Sequence, residues 1–237
     1  MYRTPDFPDQ VYVELTNACN ARCTTCATPQ MLRPRRVMAP ELFRGIIDQC
    51  ARHQAKKILP FLHGESFLVP DVLDYFAYIR GKAPQSHLNV TTNGSRLTAE
   101  ISERILEEDL LDSIIVSIDG GNKQTFEAIR LGLSYDEIRS NVLHLIRRRN
   151  ELGKTRPHIS IAMVTTPENR HTRDELQEAW KDALKDTIPI PNLRGFSRVQ
   201  ETVGKYQDEV MLGKSDIKTA MTKADAEVKQ VLEEAYR

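Results

Sequence analysis

Short β-type runs and amphipathic helical stretches alternate along this chain, and that alternation limits its fold more than any other feature. Val11–Thr16, Lys57–His63, Leu88–Thr92, Ser113–Ile118 and His158–Val164 read as strands. The stretches between them, at about 40–53, 70–80 and 135–152 and from Leu97 onward, repeat apolar residues every three or four positions, as helices do. Leu42, Ile46, Ile47 and Cys50 share one face of the first, and Val72, Leu73, Phe76 and Ile79 one face of the second. Leu97, Ile101 and Ile105 are in register in the third, and Ile138, Val142, Leu145 and Ile146 in the fourth. Thr172-Arg-Asp-Glu175 reads as a capping box opening a helix that buries Leu176, Ala179, Trp180 and Leu184. Ile188–Leu193 is a weaker sixth strand, because its prolines cannot donate to a ladder. Five or six β–α units in series demand a parallel sheet with helical crossovers, which both a barrel and an open doubly wound sheet provide. Residues 197–214 read as a polar loop and 215–236 as a helix with Ile217, Met221, Val228 and Leu232 at helical spacing, packing on the sheet or on a partner. The expected division is a domain over 1–196 and an extension over 197–237.

Charge and composition exclude several classes. Lys plus Arg and Asp plus Glu each number 33, so no global imbalance points to nucleic acid or a membrane surface. Local basic clusters remain at Arg33, Arg35 and Arg36 and at Arg147–Arg149; a solvated face explains both, and an anionic substrate would suit the first if it lined a cavity mouth. No apolar run approaches the roughly 18–20 residues of a spanning helix, and the proline-broken start does not resemble a signal peptide. With four cysteines, three of them clustered, a disulfide framework is not expected, and a reducing, cytoplasmic setting fits.

The clustered three are Cys19, Cys23 and Cys26, spaced Cys-x3-Cys-x2-Cys directly after the first strand. Structural zinc takes four protein ligands, so three thiolates need a further ligand such as His63 to close a zinc site. A cubane cluster with three cysteines instead keeps one iron open. The other polar residues that stand out also follow strands: Gly64 and Glu65 after the second, Asn93 and Gly94 after the third, Ser117 and Asp119 at the fourth. In parallel β/α folds that edge is where sites assemble.

Over roughly residues 10–195 the chain resembles the radical S-adenosylmethionine (SAM) enzymes. The likeness rests on the cysteine loop, on His63-Gly64-Glu65, on Thr91-Thr92-Asn93-Gly94 and on Ser117-Ile118-Asp119-Gly120 with Thr125–Arg130. The last signatures are nearest the branch whose members carry a cysteine-rich C-terminal SPASM module. The resemblance implies a partial (β/α)6 TIM-like barrel of parallel strands with a C-terminal helical extension. It implies a [4Fe–4S] cluster on Cys19, Cys23 and Cys26, whose fourth iron chelates SAM and whose electron cleaves it to a 5′-deoxyadenosyl radical. That radical abstracts hydrogen from a small-molecule (natural-product or nucleotide-like) or peptide substrate. Gly64 would admit the methionine part of SAM, Glu65 accept from its ammonium, and Ser117, Asn93 and Asp119 bind ribose or carboxylate. Arg130 would pair with the SAM carboxylate and Met163 pack near adenine. A one-electron donor such as flavodoxin or ferredoxin is the implied protein partner.

Departures from the family pattern shape the expectation. Thr25 stands where many relatives place an aromatic, and Ser66 where proline is frequent. No cysteine follows Cys50, so the loop is expected to hold the only cluster of this polypeptide. Cys50, on an apolar helix face, reads as core filling. Two other readings stay open: a SAM- and cluster-binding accessory protein that works with a partner, and a zinc-binding structural protein.

Overall fold

The structure, a computed structural model, describes residues 6–181, 183, 206 and 215–235. The chain divides into two compact units, Met1–Thr187 and Ile188–Arg237.

The first unit holds five strands: β1 (Gln10–Tyr12), β2 (Lys57–Leu59), β3 (His87–Thr92), β4 (Ser113–Ser117) and β5 (His158–Ala162). They pair in chain order β1-β2-β3-β4-β5, every neighbour parallel. A doubly wound sheet reverses its strand order at a switch point, and this one does not. The sheet winds in one direction as an open partial barrel, which decides between the two architectures the alternation allows. The sixth strand expected at Ile188–Leu193 lies outside the described residues.

Helices α1 (Pro40–Arg52), α2 (Val72–Lys82), α3 (Ala99–Glu107), α4 (Lys123–Ile129), α5 (Tyr135–Glu151) and α6 (Arg173–Lys181) connect or follow the strands. Their buried faces meet one face of the sheet. Leu88, Val90, Ile114, Val116 and Ile159 join Phe76, Ile105, Ile138 and Val142 in a single core. The alternate strand residues Thr91, Ser113, Ser117 and Ser160 are only half-buried and lie on the opposite face. A closed barrel fills that interior with bulky aliphatics; here it is largely small and polar.

Two expected strands end early for visible reasons. After Leu59 comes Pro60, which has no N–H to continue the ladder. The chain beyond β1 keeps one more bond, Val13 N–H to Leu59 O at 2.8 Å, then turns to an antiparallel bridge between Thr16 and Val37.

Two local expectations fail. Leu42 is exposed and Phe43 takes its place beside Ile47 and Cys50 in the core. The Thr172–Glu175 capping box does not form. The Thr172 hydroxyl accepts from the Gly121 N–H and donates to Asn169 O, while Glu175 accepts from the Asn122 amide.

In the second unit, α7 (Ile217–Ala235) buries Ala220 and Val231, and the Tyr206 hydroxyl donates to Glu227 Oε2 at 2.7 Å. Met221, expected on the apolar face, is exposed, and Val228 is half-buried. The side chains of Ile217 and Leu232 lie outside the described residues.

Candidate active site

The cysteine loop leaves β1 and is fastened on three sides. From the segment just beyond β1, Thr16 Oγ1 accepts the Ala18 N–H at 3.0 Å. From the β2 loop, Glu65 N–H donates to Ala18 O at 2.8 Å. From the end of α4, Leu131 O and Ile129 O accept the Arg22 and Thr24 N–H groups, each at 2.9 Å. Gly64 makes the second attachment possible. Its φ is +77°, and a Cβ there would lie 2.5 Å from Thr16 O and 2.6 Å from Ala18 O.

All four cysteines are free thiols; Cys19 and Cys23 are half-buried, Cys26 is exposed and Cys50 is buried in the core. Burial pushes the Cys19 and Cys23 thiols up, with the charges of Glu65 and Cys26 adding to it at Cys19, while the Arg130 charge favours the Cys23 thiolate. His63, the histidine a zinc site would recruit, is held by Glu14 instead, ring Nδ1 to Oε1 at 3.2 Å. Among the described residues no three Cys, His, Asp or Glu side chains gather closely enough to hold one metal ion.

The strand-end residues converge on this loop. Glu65, 2% exposed, accepts from the Phe67 N–H at 3.2 Å, the Thr92 hydroxyl at 2.8 Å and the Asn93 N–H at 2.7 Å. Burial raises its carboxyl above the usual range against these donors and the Arg130 charge. The Asn93 amide donates to Asn20 Oδ1 at 2.9 Å and approaches Cys19 Sγ at 3.9 Å, and the Asn20 amide donates to Ser95 Oγ at 2.9 Å. Fully buried Asp119 accepts from Arg130 Nε and Nη2, at 2.9 and 2.8 Å, and from the Val164 N–H at 2.8 Å.

Hydrogen bonds thus tie Glu65 and Asn93 to the cysteine loop, and Asp119-paired Arg130 lies between Ile129 and Leu131, whose carbonyls hold that loop. Ser117 ends β4 opposite Ala162, half-buried, and its hydroxyl makes no bond among the described residues. Met163 lies just past β5, half-buried against the core. Sequence reasoning missed Asn20, Ser95 and Asn169. Asn169 is buried and donates to Asp119 O and Val164 O, tying the β4 and β5 ends together. Asn20, beside a cysteine, was open to notice; Asn169 had no signal beyond its turn after Pro167.

The donor set fits a cubane: three thiols on one short loop, two of them half-buried, backed by a buried carboxylate–guanidinium pair. The radical SAM superfamily model matches residues 13–185. This chain belongs to the radical SAM superfamily. Superfamily members use a [4Fe–4S] cluster with SAM. The tungsten-containing aldehyde ferredoxin oxidoreductase cofactor-modifying protein of Pyrococcus furiosus is 27% identical over 188 residues, 77% of this chain and 51% of that protein. Mycofactocin maturase MftC of Mycolicibacterium smegmatis is 28% identical over 195 residues, 81% of this chain and 46% of that protein. The chain therefore spans about half the length of these curated relatives. Among solved structures, Streptococcus suis SuiB bound to S-adenosylmethionine superposes with a TM-score of 0.63 at 16% identity, covering 86% of this chain and 48% of that one. An anSMEcpe structure with bound AdoMet gives a TM-score of 0.59 at 15% identity over 86% of this chain and 61% of that one. Both likenesses concern the fold. Among the described residues no helix is long and apolar enough to cross a membrane.

Proposed function

We propose that this chain is a radical SAM enzyme that binds its cluster on Cys19, Cys23 and Cys26 and acts on a peptide substrate. The observation that carries the reading is the fastening of the three-thiol loop to the ends of β1, β2, β3 and α4, which gathers Gly64, Glu65, Asn93, Asp119 and Arg130 around it. When bound, the cluster supplies an electron that cleaves SAM to methionine and a 5′-deoxyadenosyl radical, which takes a hydrogen atom from the substrate.

The chain's own residues hold and orient. Arg130, fixed in direction by Asp119, presents a guanidinium beside Cys23 for the SAM carboxylate. Gly64 leaves room for the methionine part. Ser117, with its free hydroxyl, serves the ribose, and Met163 offers a soft apolar contact to adenine. Glu65 and Asn93 act one step back, since their polar atoms brace the β2 and β3 loops against the cysteine loop. The proposed domain limits are 1–196 and 197–237, whereas the compact units divide between Thr187 and Ile188.

A peptide is favoured by the lining. Half-buried Thr91, Ser117 and Ser160 supply small polar groups on the sheet face opposite the core, and the segments after β2, α4 and β5 expose Leu62, Leu131 and Val164. Two relatives agree in kind: MftC is a mycofactocin maturase, and SuiB has been solved bound to its precursor peptide SuiA. The test is anaerobic loading with iron and sulfide, then assay for 5′-deoxyadenosine from SAM and reductant, with and without peptides encoded beside this gene. SAM cleavage that one such peptide accelerates and that C23A abolishes is the expected result; a cluster-loaded chain that leaves SAM intact contradicts the reading.

A further inference from the structure

The segment around and after the cysteine loop carries charge the proposed reaction leaves unused. Residues 20–40 contain Arg22, Arg33, Arg35 and Arg36 and no Asp, Glu or Lys, in a chain whose net charge is zero. Arg33 is neutralised by Glu14, Nη1 to Oε2 at 2.6 Å and Nη2 to Oε1 at 2.7 Å. Arg22, Arg35 and Arg36 are exposed and enter no ion pair among the described residues. Leu32 beside them is 99% exposed and Val37 is 50% exposed.

Backbone bonds hold these groups in place rather than leaving them on a loose excursion. The chain departs from Cys26 through a short 3-10 turn, Thr28–Gln30, and is then stitched back to the first strand. Buried Asn17 donates to Pro34 O at 2.9 Å and accepts the Arg36 N–H at 2.7 Å, while Thr16 Oγ1 donates to Arg36 O at 2.9 Å. Asn17 is two residues before Cys19. The loop thus starts at the third cysteine and closes beside the first, carrying unpaired cations and an exposed leucine next to the most exposed of the three thiols.

We propose that this arginine loop is the docking surface for an acidic one-electron carrier protein, which delivers its electron from the Cys26 side. The inference rests on the cluster assignment above. In the step the carrier is oxidised by one electron and the cluster reduced by one, from its 2+ to its 1+ state, with no bond made or broken. Unpaired arginines attract an acidic partner over the distance of a Debye length and speed its arrival. Leu32, 99% exposed on the same loop, adds an apolar contact of the kind interfaces combine with polar groups. An anionic substrate is the competing occupant, and the experiment separates the two.

The test uses the cluster-loaded chain and an acidic flavodoxin. Oxidised flavodoxin is titrated onto the chain by calorimetry. Bleaching of the cluster absorbance by reduced flavodoxin is then followed by stopped flow at several salt concentrations. Photoreduced deazaflavin, an uncharged small reductant, serves as the control. R35E/R36E is expected to weaken flavodoxin binding and slow its reduction step by about tenfold or more, with a flatter salt dependence and an unchanged rate from deazaflavin. R35Q/R36Q should fall between, and both pairs leave the backbone bonds to Asn17 in place. Unchanged flavodoxin binding and rate overturn the proposal and leave the loop to the competing anionic substrate. A loaded chain that docks flavodoxin in this charge-dependent way yet never cleaves SAM upholds the docking surface and defeats the functional reading instead.

Discussion

Arg130 joins the stability of the site to its chemistry. Asp119 is fully buried and ion-paired to Arg130, so R130A leaves that carboxylate without its counter-ion, a change that costs about 3–5 kcal/mol in buried pairs. R130K keeps the charge but loses the planar fork, so SAM affinity of the loaded chain should fall about tenfold while the fold survives. Denaturant titration and equilibrium SAM binding measure the two effects, and unchanged SAM affinity in R130K would remove Arg130 from the cofactor. Glu65 shows where sequence reasoning stopped short. Its position after Gly64 was legible, but its role as an acceptor for SAM was drawn from the motif alone. In the fold its carboxylate caps the turn that follows it by accepting the Phe67 N–H, and takes the Asn93 N–H and the Thr92 hydroxyl, contacts that become visible only when β2 and β3 lie side by side. Ser66 likewise replaces a frequent proline with a hydroxyl that donates to Pro60 O at 2.7 Å, fixing the turn by a bond rather than a ring.

Elements place these residues, and the short ones matter most. Helix α4 is seven residues long, and the Asn122 side chain caps it by accepting the Thr125 N–H at 3.0 Å. Its last turn sets both Arg130 and the Ile129 and Leu131 carbonyls that hold the cysteine loop. N122A should cost about 1 kcal/mol in stability and weaken SAM binding as well, since a loosened α4 frees Arg130. An equal loss of stability from S134A, which removes the cap of α5, should leave SAM binding nearly unchanged. Equal effects of the two on SAM binding would contradict the role given to α4. Sequence periodicity did not show α4 because a helix this short buries only Phe126 and Ile129, too few for a repeat to register. Long α5 was legible for the opposite reason: Ile138, Val142, Leu145 and Ile146 all reach the core. Leu42 misled because it sits next to Phe43, and the spacing 43, 47, 50 suits the buried stripe as well as one that starts from Leu42.

At the scale of the molecule, the two ends of the sheet do different work. The cysteine loop and its supports occupy the C-terminal strand ends, whereas the start of β3 and β4 is knotted by Asp112. That carboxylate accepts the Leu88 N–H at 2.7 Å and pairs with Arg80 at 2.6 Å and Arg156 at 3.0 Å. Burial alone would raise the Asp112 carboxyl, but these donors outweigh it and hold it below the usual range. A lowered folded-state pKa gives stability that is complete above the unfolded value, about 3.9, and is lost as pH falls through the folded value. D112N should therefore cost about 1–3 kcal/mol near neutral pH and flatten the acid limb of the stability curve, with SAM binding intact. Parallel strands and helical crossovers were legible from the alternation, but strand order was not, since pairing β1 to β5 in sequence depends on contacts between distant segments. The central claim is that three thiolates on one loop leave an iron open to SAM. Electron paramagnetic resonance of the reduced, cluster-loaded chain, recorded with and without SAM, tests it most directly. A [4Fe–4S]1+ signal that changes shape when SAM is added, and that is lost in C19A, C23A and C26A, is the predicted result; a cluster signal indifferent to SAM would contradict it.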